Sequence, residues 1–249
     1  MRHFGLIGYP LSHSFSQGYF KDKFERENIL NAEYANYPIA DMSEFAALWS
    51  MDESLEGLNV TIPYKKDVIP YLQFPSNVVK SIHACNCIRK FNGGLYGYNT
   101  DVIGFEQSLL PFLKPHHTHA LLLGTGGASA AVAWVLQKLN ITFQIVSRAI
   151  GTGKISYDQL TPALLASHTL IINTSPLGMY PNVNEAPAIP YEAIGAQHHL
   201  YDLVYNPSET LFLQKGAAQG ASIQNGIAML HIQAEKSWEI WNAAIPIEQ

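Results

Sequence analysis

His119-Ala-Leu-Leu-Leu123-Gly124-Thr-Gly126-Gly127-Ala128-Ser129, with the small apolar run Ala128–Leu139 and then Ile141–Val146 behind it, decides the fold. Residues 119–123 form a short apolar run of the length of a buried strand, and 128–139 have the length and residue types of a helix. Strand, glycine turn, helix and second strand make a βαβ unit. The glycines form an imperfect G-x-G-x-x-G, with Ser129 where a third glycine or alanine is usual. Alone that pattern is weak. Between a strand and a helix it reads as a pyrophosphate cradle: Gly124, Gly126 and Gly127 let the backbone approach, and helix N–H groups face the phosphates. Further on, Leu170–Asn173, Leu200–Val204 and Ala221–Gln224 are strands, and Thr210–Gln219 is a helix. Residues 102–224 thus predict a Rossmann-like, doubly wound parallel sheet.

The second strand selects the dinucleotide. An acid at its end would accept from a ribose 2′-OH. Here the strand ends in Ser147-Arg148-Ala149, with no acid before Asp158. Arginine is suited to a 2′-phosphate, so NADP is expected over NAD. The following Gly151-Thr-Gly153 reads as a flexible loop.

The first hundred residues are a different layer. Phe4–Ile7 and Tyr34–Tyr37 are short strands, Phe15–Asn28 is a helix, and Asp41-Met-Ser-Glu44 has the spacing of a capping box. Cys85–Lys90 and Leu95–Tyr98 flank Asn92-Gly93-Gly94, a hairpin signal. Gly57-Leu-Asn59-Val-Thr61-Ile-Pro63-Tyr-Lys65 alternates apolar and polar residues over Leu58–Ile62. That strand puts Asn59 and Thr61 on one face and stops at Pro63, which cannot donate to a ladder. Lys65 then lies just past a strand end. Asp101 lies at the junction between the strand Leu95–Tyr98 and the helix Val102–Leu113. A surface lysine and a helix-capping aspartate are the plain readings. Two such junctions instead suggest an acid/base pair at one sheet edge. Ser14 and Ser16, at the start of the first helix, suit a carboxylate as well as a cap.

Apolar content of 47% and charged content of 14% in 249 residues describe a globular chain of one large or two small domains. A net charge of −5 without a basic run argues against nucleic acid. Nothing resembles a signal peptide or a membrane span, so a cytoplasmic location is expected. Cys85 and Cys87 share a strand face; a disulfide or a metal site is not expected. His116, His117 and His119 read as solvated loop histidines, His13 as a neighbour of the serines, and His231 as structural. In Ile227–Trp241, the positions Ile223, Ile227, Leu230, Ala234, Trp238 and Trp241 predict one apolar stripe. Gly226, Met229 and Gln233 fall on another.

Eight ordered segments together resemble the shikimate dehydrogenase family almost end to end. They are Gly8–Ser16, Asn59–Lys65, Ala84-Cys-Asn86, Gly97–Asp101, Gly124–Ser129, Asn173–Met179, Asp202–Pro207 and Gly226–Ala234. The resemblance implies NADP-linked, reversible reduction of 3-dehydroshikimate to shikimate, an activity of aromatic amino-acid biosynthesis. It implies an α/β chain: a mixed substrate domain over 1–101, rejoined by the terminal segment 225–249, a Rossmann domain over 102–224, and a cleft between them. It makes Lys65 and Asp101 catalytic. Ser14 and Ser16 would hold the substrate carboxylate, Asn59, Thr61, Asn86 and Gln233 the ring hydroxyls, and Tyr205 the pocket wall. Ala128, Ser147, Thr174, Gly226 and Met229 would join the glycines and Arg148 around NADP. The family usually has Asn-Arg-Thr where Ser147-Arg148-Ala149 stands, and often threonine where Cys87 stands. Two alternatives remain: a quinate/shikimate dehydrogenase with relaxed substrate and NAD use, and a non-catalytic sensor of shikimate-like ligands. The partner is a small-molecule substrate, and monomer or homodimer is open.

Overall fold

The computed structural model describes residues 1–11, 14–149 and 151–248. In chain order its elements are β1 Arg2–Gly8, α1 Phe15–Arg26, β2 Ala32–Pro38, α2 Phe45–Met51, β3 Leu55–Val60, β4 Phe74–Pro75, α3 Asn77–Ile82, β5 Cys87–Phe91, β6 Gly94–Tyr98 and α4 Thr100–Leu109. Then follow β7 His119–Leu123, α5 Gly127–Lys138, β8 Thr142–Val146, β9 Lys154–Ile155, α6 Pro162–Ser167, β10 Leu170–Asn173, β11 His199–Asp202, α7 Leu211–Ala218, β12 Ser222–Gln224 and α8 Ile227–Asn242. The chain divides into two compact units, Met1–Ile103 with Gln233–Gln249, and Gly104–Ile232. The divisions fall inside α4 and α8.

The first unit is built on a mixed sheet of order β2-β1-β3-β5-β6-β4. β1 runs parallel to β2 and β3, and β5 pairs antiparallel with β3 and β6. The hairpin turn is Asn92-Gly93, both at positive φ (48° and 77°), the backbone that a two-residue turn between twisted strands demands. Leu58, Val60, Ile7 and Phe45 pack on one face; Phe4, Phe20, Tyr34 and Trp241 pack on the other. Asn59, between Leu58 and Val60, therefore looks toward α1 and α8.

β3 ends at Val60, two residues short of the expected Ile62. A turn closed by Tyr64 N–H on the Thr61 carbonyl takes the chain away from the sheet, and Ile62 is left 74% exposed. The capping box at Asp41 and Glu44 is present, but it opens a single 3-10 turn that runs into α2.

The second unit carries a wholly parallel sheet of order β12-β11-β10-β7-β8-β9. Counted from β7, this is the 3-2-1-4-5-6 order of a doubly wound fold, with its switch point between β7 and β10. Ala120–Leu123 and Leu170–Asn173 are buried at every position, as strands covered on both faces must be. Gly151-Thr-Gly153 is an exposed turn, with Gly153 at φ 74°, that leads into β9, which pairs with β8. One expectation fails here. Ile223 belongs to β12 and its core, not to the stripe of α8. His117 also departs from a solvated reading. It is 4% exposed, its Nδ1 accepts from Lys114 N–H, and its Nε2 lies 3.3 Å from the Gln197 carbonyl.

Among the described residues no helix is long and apolar enough to cross a membrane.

Candidate active site

The first unit gathers a polar cluster at the ends of β3, β5 and β6. Lys65 Nζ donates to Asp101 Oδ2 at 2.6 Å, with the two side chains 18% and 3% exposed. Lys65 is held from behind, because its carbonyl accepts from Cys85 N–H at 2.7 Å. Asp101 sits in the first turn of α4, where the helix dipole favours a carboxylate. Asn99, not Asp101, is the cap; its Oδ1 accepts from Val102 N–H. Asn86 fixes the other carboxylate oxygen. Its Nδ2 donates to Asp101 Oδ1 at 2.9 Å and to Thr100 Oγ1 at 3.1 Å, while its Oδ1 accepts from Thr100 N–H at 2.6 Å. Asp101 is thus orientated on both oxygens, and an ammonium with three N–H groups has donors to spare once one meets Asp101.

Asn59 continues the cluster. Its Nδ2 donates to Ser237 Oγ at 2.8 Å and to the Asn86 carbonyl at 3.3 Å, and its Oδ1 accepts from the Tyr34 hydroxyl at 3.0 Å. Ser237 in turn donates to the Gln233 carbonyl, one turn earlier in α8. Ser16 stands in the first turn of α1. Ser14 is the N-cap of α1 and makes no side-chain cap bond; its Oγ is buried without a hydrogen-bond partner. A buried hydroxyl without a partner is costly unless a ligand answers it. The uncapped N–H groups of this twelve-residue helix favour negative charge beside it. Thr61 stands half-buried just past β3. Ser14, Ser16, Asn59, Thr61, Lys65, Asn86, Asp101 and Gln233 all belong to this unit; His13 lies outside the described residues. Tyr205, Gly226 and Met229 belong to the other unit.

Sequence reasoning missed Tyr34, Ser237 and Thr100. Ser237 carried a signal, since it lies four residues beyond Gln233 on one helix face. Tyr34 carried none that separates it from an ordinary core tyrosine.

In the second unit Gly124 follows β7 at the switch point, with φ 117°, and a Cβ there would come within 2.7 Å of Thr174 Oγ1. Thr174 ties β10 to β7 with its N–H and hydroxyl, both on the Leu123 carbonyl. Gly126 caps α5 with no side-chain bond, and nothing lies within 4 Å of where its Cβ would stand. That open space before the N-terminus of a twelve-residue helix is what a pyrophosphate needs. Gly127 and Ala128 open the helix, half-buried. Ser129, in place of the third glycine, is buried and donates to the Gly124 carbonyl at 2.9 Å, so the exchange reinforces the turn. At the end of β8, Ser147 is buried and accepts from Ala149 N–H at 3.1 Å, while Arg148 is exposed. This donor set fits a dinucleotide with a 2′-phosphate.

Gly226 is packed against the Leu203 carbonyl, which a Cβ would overlap. Met229 is buried and Tyr205 half-buried, with the phenol pKa of Tyr205 raised by burial. Asp202, of the Asp202–Pro207 segment, is buried. It accepts from Asn173 Nδ2, Val204 N–H and Thr210 Oγ1 at 3.0, 3.0 and 2.6 Å. Burial nevertheless pushes its carboxyl up to about 6. Cys85 and Cys87 are free and buried. Among the described residues no group of three or more His, Cys, Asp or Glu is placed to hold a metal ion.

Residues 6–88 match the shikimate dehydrogenase substrate binding domain. The chain is 37% identical to the shikimate dehydrogenase (NADP(+)) of Carboxydothermus hydrogenoformans, over 97% of this chain and 92% of that protein. Among solved structures, shikimate dehydrogenase 1 of Peptoclostridium difficile is 36% identical, with a TM-score of 0.83 over 99% of this chain and 94% of that one. The shikimate 5-dehydrogenase of Thermus thermophilus, in complex with NADP(H) and shikimate, is 26% identical, with a TM-score of 0.86 over 99% and 95%. With near-complete coverage at such identity, and with the same fold, the chain belongs to the shikimate dehydrogenase family.

Proposed function

We propose that this protein catalyses the reversible, NADP-linked reduction of 3-dehydroshikimate to shikimate, in the cytoplasm and as a step of chorismate and aromatic amino-acid biosynthesis. The observation that carries the reading is the Lys65–Asp101 pair, at 2.6 Å and shielded from water, beside a row of neutral polar side chains. That is the equipment for a polyhydroxylated ring that gains or loses one proton. The unit Met1–Ile103 with Gln233–Gln249 takes the substrate, and the unit Gly104–Ile232 takes NADP.

Ser14 and Ser16 receive the ring carboxylate at the N-terminus of α1. Asn59, Thr61, Asn86 and Gln233 meet the hydroxyls. Gly124, Gly126, Gly127 and Ala128 hold the pyrophosphate, Ser147 and Arg148 the 2′-phosphate, and Thr174, Gly226 and Met229 the remainder of the cofactor. Bound NADPH supplies the hydride that reaches C3 of the ketone. As the carbonyl π pair moves to oxygen, Lys65 delivers a proton from its ammonium to that oxygen. In the oxidation of shikimate the neutral Lys65 amine takes the hydroxyl proton. Asp101, orientated by Asn86, holds Lys65 in line and accepts from the reacting hydroxyl. A sensor that only binds its ligand has no use for this pair.

The test is an initial-rate assay at the nicotinamide absorbance, with shikimate and quinate crossed against NADP and NAD. Turnover is expected with shikimate and NADP, falling about 100-fold or more in Lys65→Ala, the scale of a lost general acid. Near-normal turnover in that variant would refute the role of Lys65. Comparable rates with quinate or NAD would refute the proposed specificity.

A further inference from the structure

We infer that Tyr34 and Ser237 are positioning residues that lock the Asn59 carboxamide into one orientation, so that Asn59 meets the substrate as a hydrogen-bond acceptor. The inference rests on the reading of shikimate as ligand.

An amide side chain has two donors and two acceptor lone pairs, and its flip is set by its partners. Ser237 Oγ spends its hydrogen on the Gln233 carbonyl at 2.9 Å. It can therefore only accept from Asn59, and the atom facing it at 2.8 Å must be Nδ2. The second Nδ2 hydrogen is taken by the Asn86 carbonyl at 3.3 Å, a partner that cannot donate. Both donors of Asn59 are then consumed. Oδ1 faces the Tyr34 hydroxyl at 3.0 Å, which donates to it, and one lone pair remains. That lone pair selects a hydroxyl. An ether oxygen at the same ring position would find no donor.

Tyr34 is buried, with its ring stacked on Phe20 at 4.4 Å and 16°, so its hydroxyl oxygen is held in place against Asn59. Ser237 is buried on α8, which makes the terminal helix part of the substrate site even where it does not touch ligand.

The experiment is a double-mutant cycle on shikimate binding, read by titration calorimetry. It uses the wild type, Tyr34→Phe, Asn59→Ala and the double variant, with NADP affinity and Tm followed alongside. Tyr34→Phe keeps the ring stack and removes one hydrogen bond. It is expected to weaken shikimate binding about three- to tenfold, the scale of one net hydrogen bond, and to leave NADP affinity unchanged. In the Asn59→Ala background the same change should be silent within about twofold. Ser237→Ala should behave as Tyr34→Phe does. Equal loss in both backgrounds, or no loss in either, would overturn the inference. A wild type that binds shikimate without turning it over would sink the proposed activity and leave the cycle to judge this inference. A wild type that does not bind shikimate overturns both.

Discussion

Under the proposed function, Arg148 carries the choice of cofactor on one side chain. It is exposed at the end of β8, on a turn that Ser147 ties down by accepting from Ala149 N–H. A guanidinium pairs with phosphate through charge-assisted, often paired hydrogen bonds, and gains little from a lone ribose hydroxyl. Arg148→Ala should therefore raise KM for NADP about 10- to 100-fold, as the loss of a charged hydrogen-bonding pair does. KM for NAD should move less than about twofold. Initial rates with each cofactor at saturating shikimate measure both, and an equal rise in the two would show that Arg148 does not select the 2′-phosphate. At this scale the sequence was legible where chemistry and position coincide. Lys65 and Asp101 stood out because each follows a strand end. Tyr34 and Ser237 did not, because a core tyrosine and a helical serine are common, and only their partners make them part of a site. His117 was misread for the converse reason: a loop histidine is ordinarily wet, and this one fills its valences with Lys114 N–H and the Gln197 carbonyl.

The packing of β3 against α8 shows how one element depends on another. Trp241 is buried, donates from Nε1 to the Ile88 carbonyl at 2.9 Å, and stacks on Phe4 at 4.9 Å. Its indole occupies the space in which a Cβ on Gly57 would stand. Gly57 is thus required for the close approach of helix and strand, and not for its φ. Gly57→Ala should destabilise the protein by about 1–3 kcal/mol, the usual cost of overpacking a dense core. Thermal melts would show it. The Trp241→Phe background should soften the effect, because a phenyl ring is shorter than an indole; an undiminished loss there would place the strain elsewhere. Long periodic elements such as α5 and α8 were readable to within two residues. The misses are short. Two strands, β4 and β9, have only two residues each, and α3 and α6 only six. Such pieces have no room for a period, and neighbours decide them. β3 was misjudged at its end because Ile62 continues the alternation while the turn at Thr61 removes it from the sheet.

At the scale of the whole chain, alternating strands and helices made the parallel sheet of the second unit legible, since such a chain has few other ways to cover both sheet faces. Its response to acid was not legible, because that depends on which titratable groups the strands bury. His199 and Asp202 lie on the same strand, β11, and pull in opposite directions. Burial lowers His199 from 6.5 to about 4. Below pH 6.5 the unfolded chain takes up a proton that folded His199 refuses, so stability is lost as pH falls from 6.5 toward 4. Burial raises Asp202 from 3.8 to about 6. Between those values folded Asp202 keeps a proton that the unfolded chain has released, so stability is lost as pH rises from 3.8 toward 6. Each shift is worth about 3 kcal/mol across its window, and alone the two would nearly cancel. His117 and His168 are also lowered by burial and side with His199. The balance then tilts, and Tm should rise with pH between 4 and 6.5. His199→Gln, which keeps an amide near Ser222 but cannot titrate, should flatten that rise. Asp202→Asn should steepen it, whatever either change does to the absolute Tm. Melting curves across this range compare slopes rather than heights, so the lost hydrogen bonds of each variant drop out. Three parallel slopes would mean that neither residue of β11 governs the acid response.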